Sequence, residues 1–159
     1  AVSGSSDRTV RVWDLASGRQ IGEPLTRHTD VVRAVACAVL DGEPVAVTGS
    51  WDGTVRVWDL ASGRQIGEPL TRHSGSVNSV ACTVLDGKPV AVTGGMGGTG
   101  IVWDLRAREP LQTFIAANFR AAAITAAGRL VVALGCDVAV LRRSKAQLAI
   151  SDRPADWRR

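Results

Sequence analysis

A hydroxyl, a histidine and a carboxylate recur together along this chain of 159 residues, the combination that hydrolases use for nucleophilic catalysis. One such set is Thr48, His28 and Asp52. In a catalytic triad the histidine takes the proton of the hydroxyl, and the carboxylate orients the imidazole. His73 and Thr93 repeat the pattern 45 residues further on, however, and a nucleophile repeated in every unit has no use. The sequence therefore favours a structural role and predicts no catalytic residue.

Two other patterns could bind a ligand. Residues 95–100 fit the GxGxxG fingerprint of dinucleotide-binding folds, but they lead directly into the strand-like run 101–105 instead of opening a helix. His28 and His73 are equivalent positions of two repeat units, so they are not expected to share a metal ion. No nucleotide, other cofactor or metal is predicted.

These side chains are positioned by a repeat of 45 residues. Residues 52–73, DGTVRVWDLASGRQIGEPLTRH, are almost identical to residues 7–28, and the one difference is Gly53 against Arg8. A more divergent third copy follows. The tryptophan of each unit recurs at Trp13, Trp58 and Trp103.

The sequence pattern of each complete unit predicts four β-strands joined by tight turns, because β-branched and apolar runs alternate with turns rich in glycine and aspartate. In the central unit the predicted strands are 31–40, 45–49, 54–60 and 65–70. Pro24 and Pro69 fall in the fourth strand of their units. Proline has no backbone N–H, so this strand should lie at the edge of its sheet.

Units of about 45 residues that end in Trp-Asp, with a histidine opening the next unit, resemble the WD40 family of β-propellers. The residues that carry the resemblance are Asp7 with Trp13-Asp14, His28 and Asp52 with Trp58-Asp59, and His73 with Trp103-Asp104. The resemblance is strong over residues 1–115 and fades beyond them. Richness in Ala, Val and Arg is similar to that of the bacterial-type arrays appended to signalling proteins. The resemblance to the family implies an all-β fold of WD40 β-propeller blades, each of four antiparallel strands.

The resemblance divides the chain into about four blades. They are partial blade one (1–30, strands b, c and d), blade two (31–75), blade three (76–116) and degenerate blade four (117–151), followed by a basic tail (152–159). WD40 propellers usually close with seven blades, so this is an open arc or part of a larger propeller. Uncovered end faces would cost several kcal/mol at about 25 cal/mol per Å². We therefore expect further blades, from a longer chain or a second copy, to complete the array.

In the family, a strand hydroxyl, a tryptophan, a loop histidine and a turn aspartate form a buried hydrogen-bonded tetrad that locks each blade. The residues that match are Ser3, Asp7 and Trp13 in blade one, His28, Thr48, Asp52 and Trp58 in blade two, and His73, Thr93 and Trp103 in blade three. Gly97 stands where blade three needs its aspartate, so His73 should lack an acceptor. Blade four retains no tetrad.

Positions that differ between near-identical copies indicate where recognition occurs, because the shared positions build the scaffold. They cluster at the start of the first strand and just before the turn aspartate. The resemblance places both on the top face, near the central channel, where partner peptides dock. The candidate residues are Val31, Arg33, Trp51, Ser76, Asn78, Met96 and Arg120. Trp and Arg are frequent binding anchors, although ordinary variation between duplicates would leave the same pattern.

Charge and cysteine usage bound the remaining functions. Residues 1–141 are neutral, and the net charge of +4 lies entirely in residues 142–159, so a solvated end is expected and a nucleic-acid partner is not. Cys37 and Cys82 are equivalent mid-strand positions, which predicts buried reduced thiols and a cytoplasmic protein. No apolar run is long enough to cross a membrane. The sequence thus predicts a non-catalytic protein-interaction scaffold or sensor, a fragment of a larger regulatory protein. The alternative is small-ligand or nucleic-acid binding through the top face or tail.

Overall fold

A computed structural model of the chain describes residues 1–115 in full and, beyond them, only the backbone of four strands. The described part is all-β and consists of antiparallel sheets of three or four strands, arranged as an open array. This confirms the predicted fold class. Among the described residues, no helix has the length and apolar character needed to cross a membrane.

Blades one and two are three-stranded sheets in which each strand pairs with the next along the chain. The strands of blade one are β1 (Val2–Gly4), β2 (Val10–Trp13) and β3 (Gln20–Leu25). The strands of blade two are β4 (Val32–Leu40), β5 (Glu43–Ser50) and β6 (Val55–Asp59). Strand β3, which contains Pro24, lies at the edge of its sheet as predicted.

Blades three and four are four-stranded meanders. The strands of blade three are β7 (Val77–Leu85), β8 (Lys88–Gly95), β9 (Thr99–Asp104) and β10 (Glu109–Ile115). The backbone strands of blade four are β11 (Phe119–Ile124), β12 (Leu130–Leu134), β13 (Asp137–Arg143) and β14 (Leu148–Ile150). The predicted basic tail, 152–159, lies outside the described residues.

One predicted strand is not a continuous element. The sequence QIGEPL forms β3 in blade one, but at residues 65–70 of blade two it makes only isolated bridges. In blade two, the guanidinium of Arg108 from the next blade reaches this segment and donates a hydrogen bond to the carbonyl oxygen of Glu68. The same six-residue sequence therefore forms a strand at the edge of blade one and only isolated bridges at the edge of blade two.

Apolar clusters between consecutive blades form the core. The cluster between blades one and two consists of Val10, Leu25, Val32, Ala46 and Trp58. The cluster between blades two and three is larger and buries both Ile101 and Trp103 to 1% exposure. Gly49 permits this approach, since a Cβ atom there would lie 2.6 Å from Cγ1 of Val77. Each blade thus obtains its burial from its neighbours.

The prediction that Cys37 and Cys82 are both buried is wrong for Cys37, which is exposed. Cys82, on β7, packs against the cluster between blades two and three, and burial raises its pKa to about 12. Cys37, at the equivalent place on β4, is not part of the described clusters between blades. The same strand position is thus partly buried in blade three and exposed in blade two.

Candidate functional site

Four side chains of blade two form a continuous hydrogen-bonded chain. Trp58, on β6, donates its Nε1–H to Oγ1 of Thr48 on β5 over 2.9 Å. Oγ1 of Thr48 lies 2.8 Å from Nε2 of His28, and Nδ1 of His28 lies 2.8 Å from Oδ2 of Asp52. The structure thus brings together the four residues that the sequence assigned to the blade-two tetrad.

The chemistry of these groups fixes the direction of every hydrogen bond in the chain. The carboxylate of Asp52 is ionised and can only accept, so the proton of the neutral His28 ring is on Nδ1 and is donated to Asp52. Nε2 of His28 is then an acceptor, and Thr48 donates its hydroxyl hydrogen to it while accepting from the indole N–H of Trp58. Each group thus donates a hydrogen bond to the next, from Trp58 in the core outward to Asp52 in the turn.

The carboxylate of Asp52 collects three further donors. The hydroxyl of Thr54 lies 2.7 Å from Oδ1, the backbone N–H of Thr54 donates to Oδ1 over 2.9 Å, and that of Thr29 donates to Oδ2 over 3.0 Å. Burial alone would raise the pKa of Asp52, but hydrogen bonds from Thr54, His28 and Thr29 outweigh it and lower the pKa to about 2. Burial lowers the pKa of His28 although Asp52 opposes this. At neutral pH the pair is a neutral imidazole and an ionised carboxylate.

Thr54 is a member of this network that the sequence reasoning missed. The signal was present, because a threonine follows the turn of each unit, at Thr9, Thr54 and Thr99. Its invariance among the copies could have indicated a role in binding the turn aspartate.

Blade one contains only part of the network. Trp13 donates to Oγ of Ser3 over 2.8 Å. Asp7 does not join this pair but binds the hydroxyl of Thr9 and the guanidinium of Arg11, at 2.6 and 2.7 Å. These two hydrogen bonds hold the pKa of Asp7 well below its ordinary value. Asp7 therefore organises its own turn without contributing to a tetrad.

Blade three has the inner hydrogen bonds of this series, from tryptophan to threonine to histidine, but lacks the aspartate at its outer end. Trp103 donates to Oγ1 of Thr93 over 2.7 Å, and the same oxygen lies 2.7 Å from Nε2 of His73. Gly97 replaces the aspartate, and the buried Nδ1 of His73 has no hydrogen-bond partner among the described residues. Burial lowers the pKa of His73 to about 4. Oγ1 of Thr99 is likewise buried and unpartnered within the described part.

The tetrad of blade two joins two strands, a loop and a turn within one blade. The hydroxyl of Thr48 belongs to a residue with 0% exposure, so no substrate can reach it. Its hydrogen-bonding capacity is already used by Trp58 and His28. In the part of the chain that the structure describes, no group of three or more His, Cys, Asp or Glu side chains could hold a metal ion.

The candidate recognition residues lie at equivalent places in successive blades, and we call them the Trp51 surface. The Trp51 surface consists of Val31, Arg33, Trp51, Ser76, Asn78 and Met96. The backbone N–H of Trp51 donates to the carbonyl of Val31 over 2.9 Å, and that of Met96 donates to the carbonyl of Ser76 over 3.0 Å. In blades two and three the turn after the second strand is thus attached to the start of the first strand.

A side-chain hydrogen bond joins two blades within the Trp51 surface. Nε1 of Trp51 donates to Oδ1 of Asn78 over 3.1 Å, while 47% of Trp51 remains exposed. Met96 is 76% exposed. The sequence did not predict this contact between blades.

Arg33 and Asn78 occupy the same backbone irregularity. The register of β4 on β5 shifts between Val32 and Ala34, and that of β7 on β8 shifts at Asn78 in the same way. A bulge at this place redirects the side chain of the inserted residue. Arg120 lies at the corresponding shift of β11 on β12, but its side chain is outside the described residues.

Antiparallel meanders stacked through apolar faces and locked by Trp–Thr–His–Asp hydrogen bonds define the blade architecture of a propeller-type repeat protein. The family model described as WD domain, G-beta repeat, matches residues 1–14 and 18–59. These residues are similar to WD40 repeats, which confirms the resemblance to the family, whereas the bacterial type stays a prediction. No curated protein matches the chain significantly. WD40 repeats generally mediate protein–protein interactions and are typically non-catalytic scaffolds.

Proposed function

We propose that this chain is a cytoplasmic protein-interaction module of a larger regulatory protein, and that it docks a protein or peptide partner on the Trp51 surface. The observation that carries the proposal is a half-exposed tryptophan held in place by the neighbouring blade. Trp51 is 47% exposed, and its indole N–H is hydrogen-bonded to Asn78 of blade three.

This arrangement has the physical properties of a binding anchor. Large aromatic side chains dominate the energetics of many interfaces, and an anchor that is already ordered loses less conformational entropy on binding. The hydrogen bond to Asn78 orders Trp51 before a partner arrives. Blade one has Ser6 at the equivalent position, so the anchor is a feature of blade two and not of the repeat.

Two further residues belong to the same surface: Arg33 in blade two and Met96 in blade three. Met96 presents a flexible apolar side chain that adapts to irregular partners. The Arg33 side chain is exposed and forms none of the ion pairs found among the described residues. A partner that combines an apolar group with an acidic group fits this composition.

The test compares two variants of the 159-residue chain. Proteins retained by the immobilised chain are identified and purified, and their affinity for the chain is measured by calorimetry. The double variant Trp51→Ala and Arg33→Ala should weaken binding by about 30-fold or more, the effect of losing a hot spot worth about 2 kcal/mol.

Leu15→Ala is the matched control, because Leu15 is 80% exposed and lies in the turn after β2, at the opposite end of its sheet. Its affinity should equal that of the unmodified chain. If the double variant binds the partner as tightly as the control does, the Trp51 surface is not the docking site.

A further inference from the structure

The carboxylate of Asp52 shows what the outer end of a blade can bind. It receives a hydrogen bond from Nδ1 of His28, two from Thr54 through its hydroxyl and its backbone N–H, and one from the backbone N–H of Thr29. All four lie between 2.7 and 3.0 Å. This is a complete receptor for one carboxylate, with two donors to each oxygen.

Blade three keeps the residues of this receptor and lacks the carboxylate. His73, Ser74 and Thr99 occupy the positions of the three donor residues of blade two, and Gly97 occupies that of the aspartate. Nδ1 of His73 and Oγ1 of Thr99 are both buried and have no hydrogen-bond partner among the described residues. Unpaired buried polar atoms are costly, typically by about 1–3 kcal/mol each.

We propose that blade three binds the carboxylate of an acidic side chain on a partner, in the position that the aspartate occupies in blade two. The imidazole of His73 donates from Nδ1 to one carboxylate oxygen, and the hydroxyl of Thr99 donates to the other. The backbone N–H of Ser74 is placed to add a further hydrogen bond, as its counterpart does in blade two.

The proton order in blade three suits this ligand. Oγ1 of Thr93 accepts from Trp103 and lies 2.7 Å from Nε2 of His73 and 3.4 Å from the carbonyl oxygen of Ile101, so its hydrogen has two acceptors within reach. A carboxylate at Nδ1 selects the arrangement in which Thr93 donates to Nε2 and the proton of the neutral ring is on Nδ1. An acceptor with two oxygens in one plane satisfies both unpaired groups. A bound anion also favours the protonated form of the imidazole, so carboxylate binding raises the pKa of His73.

The receptor atoms lie directly beneath two surface residues, next to the Trp51 surface. Gly97 and Ser74 are exposed, and Gly97 directly follows Met96. A Cβ atom at position 97 would lie 2.5 Å from Oγ of Ser74, so this hydroxyl must rotate outward when the ligand enters. The identity of the ligand as a partner side chain rests on the proposed function, whereas carboxylate binding itself does not.

Acetate serves as the first probe. Titration of the isotopically labelled chain with sodium acetate, at constant ionic strength set with sodium chloride, should shift the ring nitrogen resonances of His73 with saturation in the millimolar range. Gly97→Asp supplies its own carboxylate and should abolish the response. Thr99→Val should weaken acetate binding by about tenfold, the effect of one hydrogen bond.

A capped peptide with one aspartate, and the same peptide with asparagine, identify the source of the carboxylate. The proposal expects the aspartate peptide to bind at least tenfold tighter than acetate and the asparagine peptide not to bind. Equal affinities for acetate and the aspartate peptide would overturn the assignment to a partner side chain. An absent His73 response, or the same response in Gly97→Asp, would overturn the site itself.

Trp51→Ala separates this proposal from the proposed function. It should leave the acetate response unchanged, because Trp51 is not among the donor residues. If the affinity of the partner were the same for the Trp51→Ala variant, the acetate result would therefore still stand. Conversely, an absent acetate response would leave the measured affinity of the partner unaffected.

Discussion

Replacing Gly97 with aspartate should complete the tetrad of blade three and stabilise the protein. The backbone can accept the side chain, because the left-handed residue of this turn is Gly98, with φ of 69°, and not Gly97. In blade two the corresponding pair is Asp52 followed by Gly53, with φ of 79°. The new carboxylate would face the unpaired Nδ1 of His73.

The expected gain is small because favourable and unfavourable contributions offset each other. Two buried donors, on His73 and Thr99, would gain an acceptor, each worth about 1 kcal/mol net. The cost is partial desolvation of a new charge and rotation of the Ser74 hydroxyl, which lies 2.5 Å from the new Cβ atom. We expect a net gain of about 1 kcal/mol, or about 2–4 °C in Tm for a chain of this length.

Urea denaturation followed by tryptophan fluorescence measures this change in the free energy of unfolding. Gly97→Ala is the matched control, since it adds the Cβ atom and removes the backbone freedom of glycine without adding an acceptor. Gly97→Asn adds a neutral acceptor of the same shape. The order of stability should be Asp above Asn, and Asn above Ala.

Equal stability of the Asp and Ala variants would refute the reasoning, because the gain would then come from the backbone alone. A second readout is independent of stability. The pKa of His73, lowered to about 4 by burial, should rise in Gly97→Asp as it gains an ionised partner.

Two further predictions concern protonation and thiol chemistry. The pKa of His73 falls from 6.5 to about 4 on folding, so the unfolded chain binds more protons than the folded chain between these pH values. The contribution of neutral His73 to the free energy of unfolding is therefore fully present above pH 6.5. As the pH falls to about 4, it should decline by roughly 2 kcal/mol after allowance for solvent screening. Urea denaturation at several pH values should show this decline in the unmodified chain and a smaller one in His73→Gln, and equal slopes would contradict it. Cys37 is exposed, whereas burial raises the pKa of Cys82 to about 12. In a Cys136→Ser background, which retains only these two thiols, Ellman's reagent should modify Cys37 first. Adding Cys37→Ser should remove the fast phase, and a fast phase that persists would contradict the assignment.

The repeat could be predicted from sequence because strand and turn signals recur at a fixed spacing. The position of β3 at an edge followed from Pro24, since a missing N–H is tolerated there. The loss of an acceptor in blade three followed from Gly97 alone. These inferences depend on local chemistry, which the sequence states directly.

Features that depend on contact between blades could not be predicted in this way. Residues 65–70 have the sequence of β3 but form only bridges, in a blade whose neighbour places Arg108 against them. Cys37 and Cys82 have similar sequence surroundings, yet among the described residues Cys82 packs against the cluster between blades two and three and Cys37 is exposed. The hydrogen bond between Trp51 and Asn78 likewise joins residues from different units. A repeat sequence shows what each blade is but not which neighbour it has.

The near identity of residues 7–28 and 52–73 also affects how the chain folds. Either copy offers the same apolar face to blade three, so a partly folded chain can place the wrong copy there and leave the other unpaired, as repeat proteins do when they misassemble. The one difference between the copies lies in a turn. Arg8 must adopt the left-handed φ of 72° that Gly53 adopts without strain, at a cost of about 1 kcal/mol. In a partly folded chain where only one copy has formed its turn, we therefore expect the copy with glycine to be favoured by about this amount.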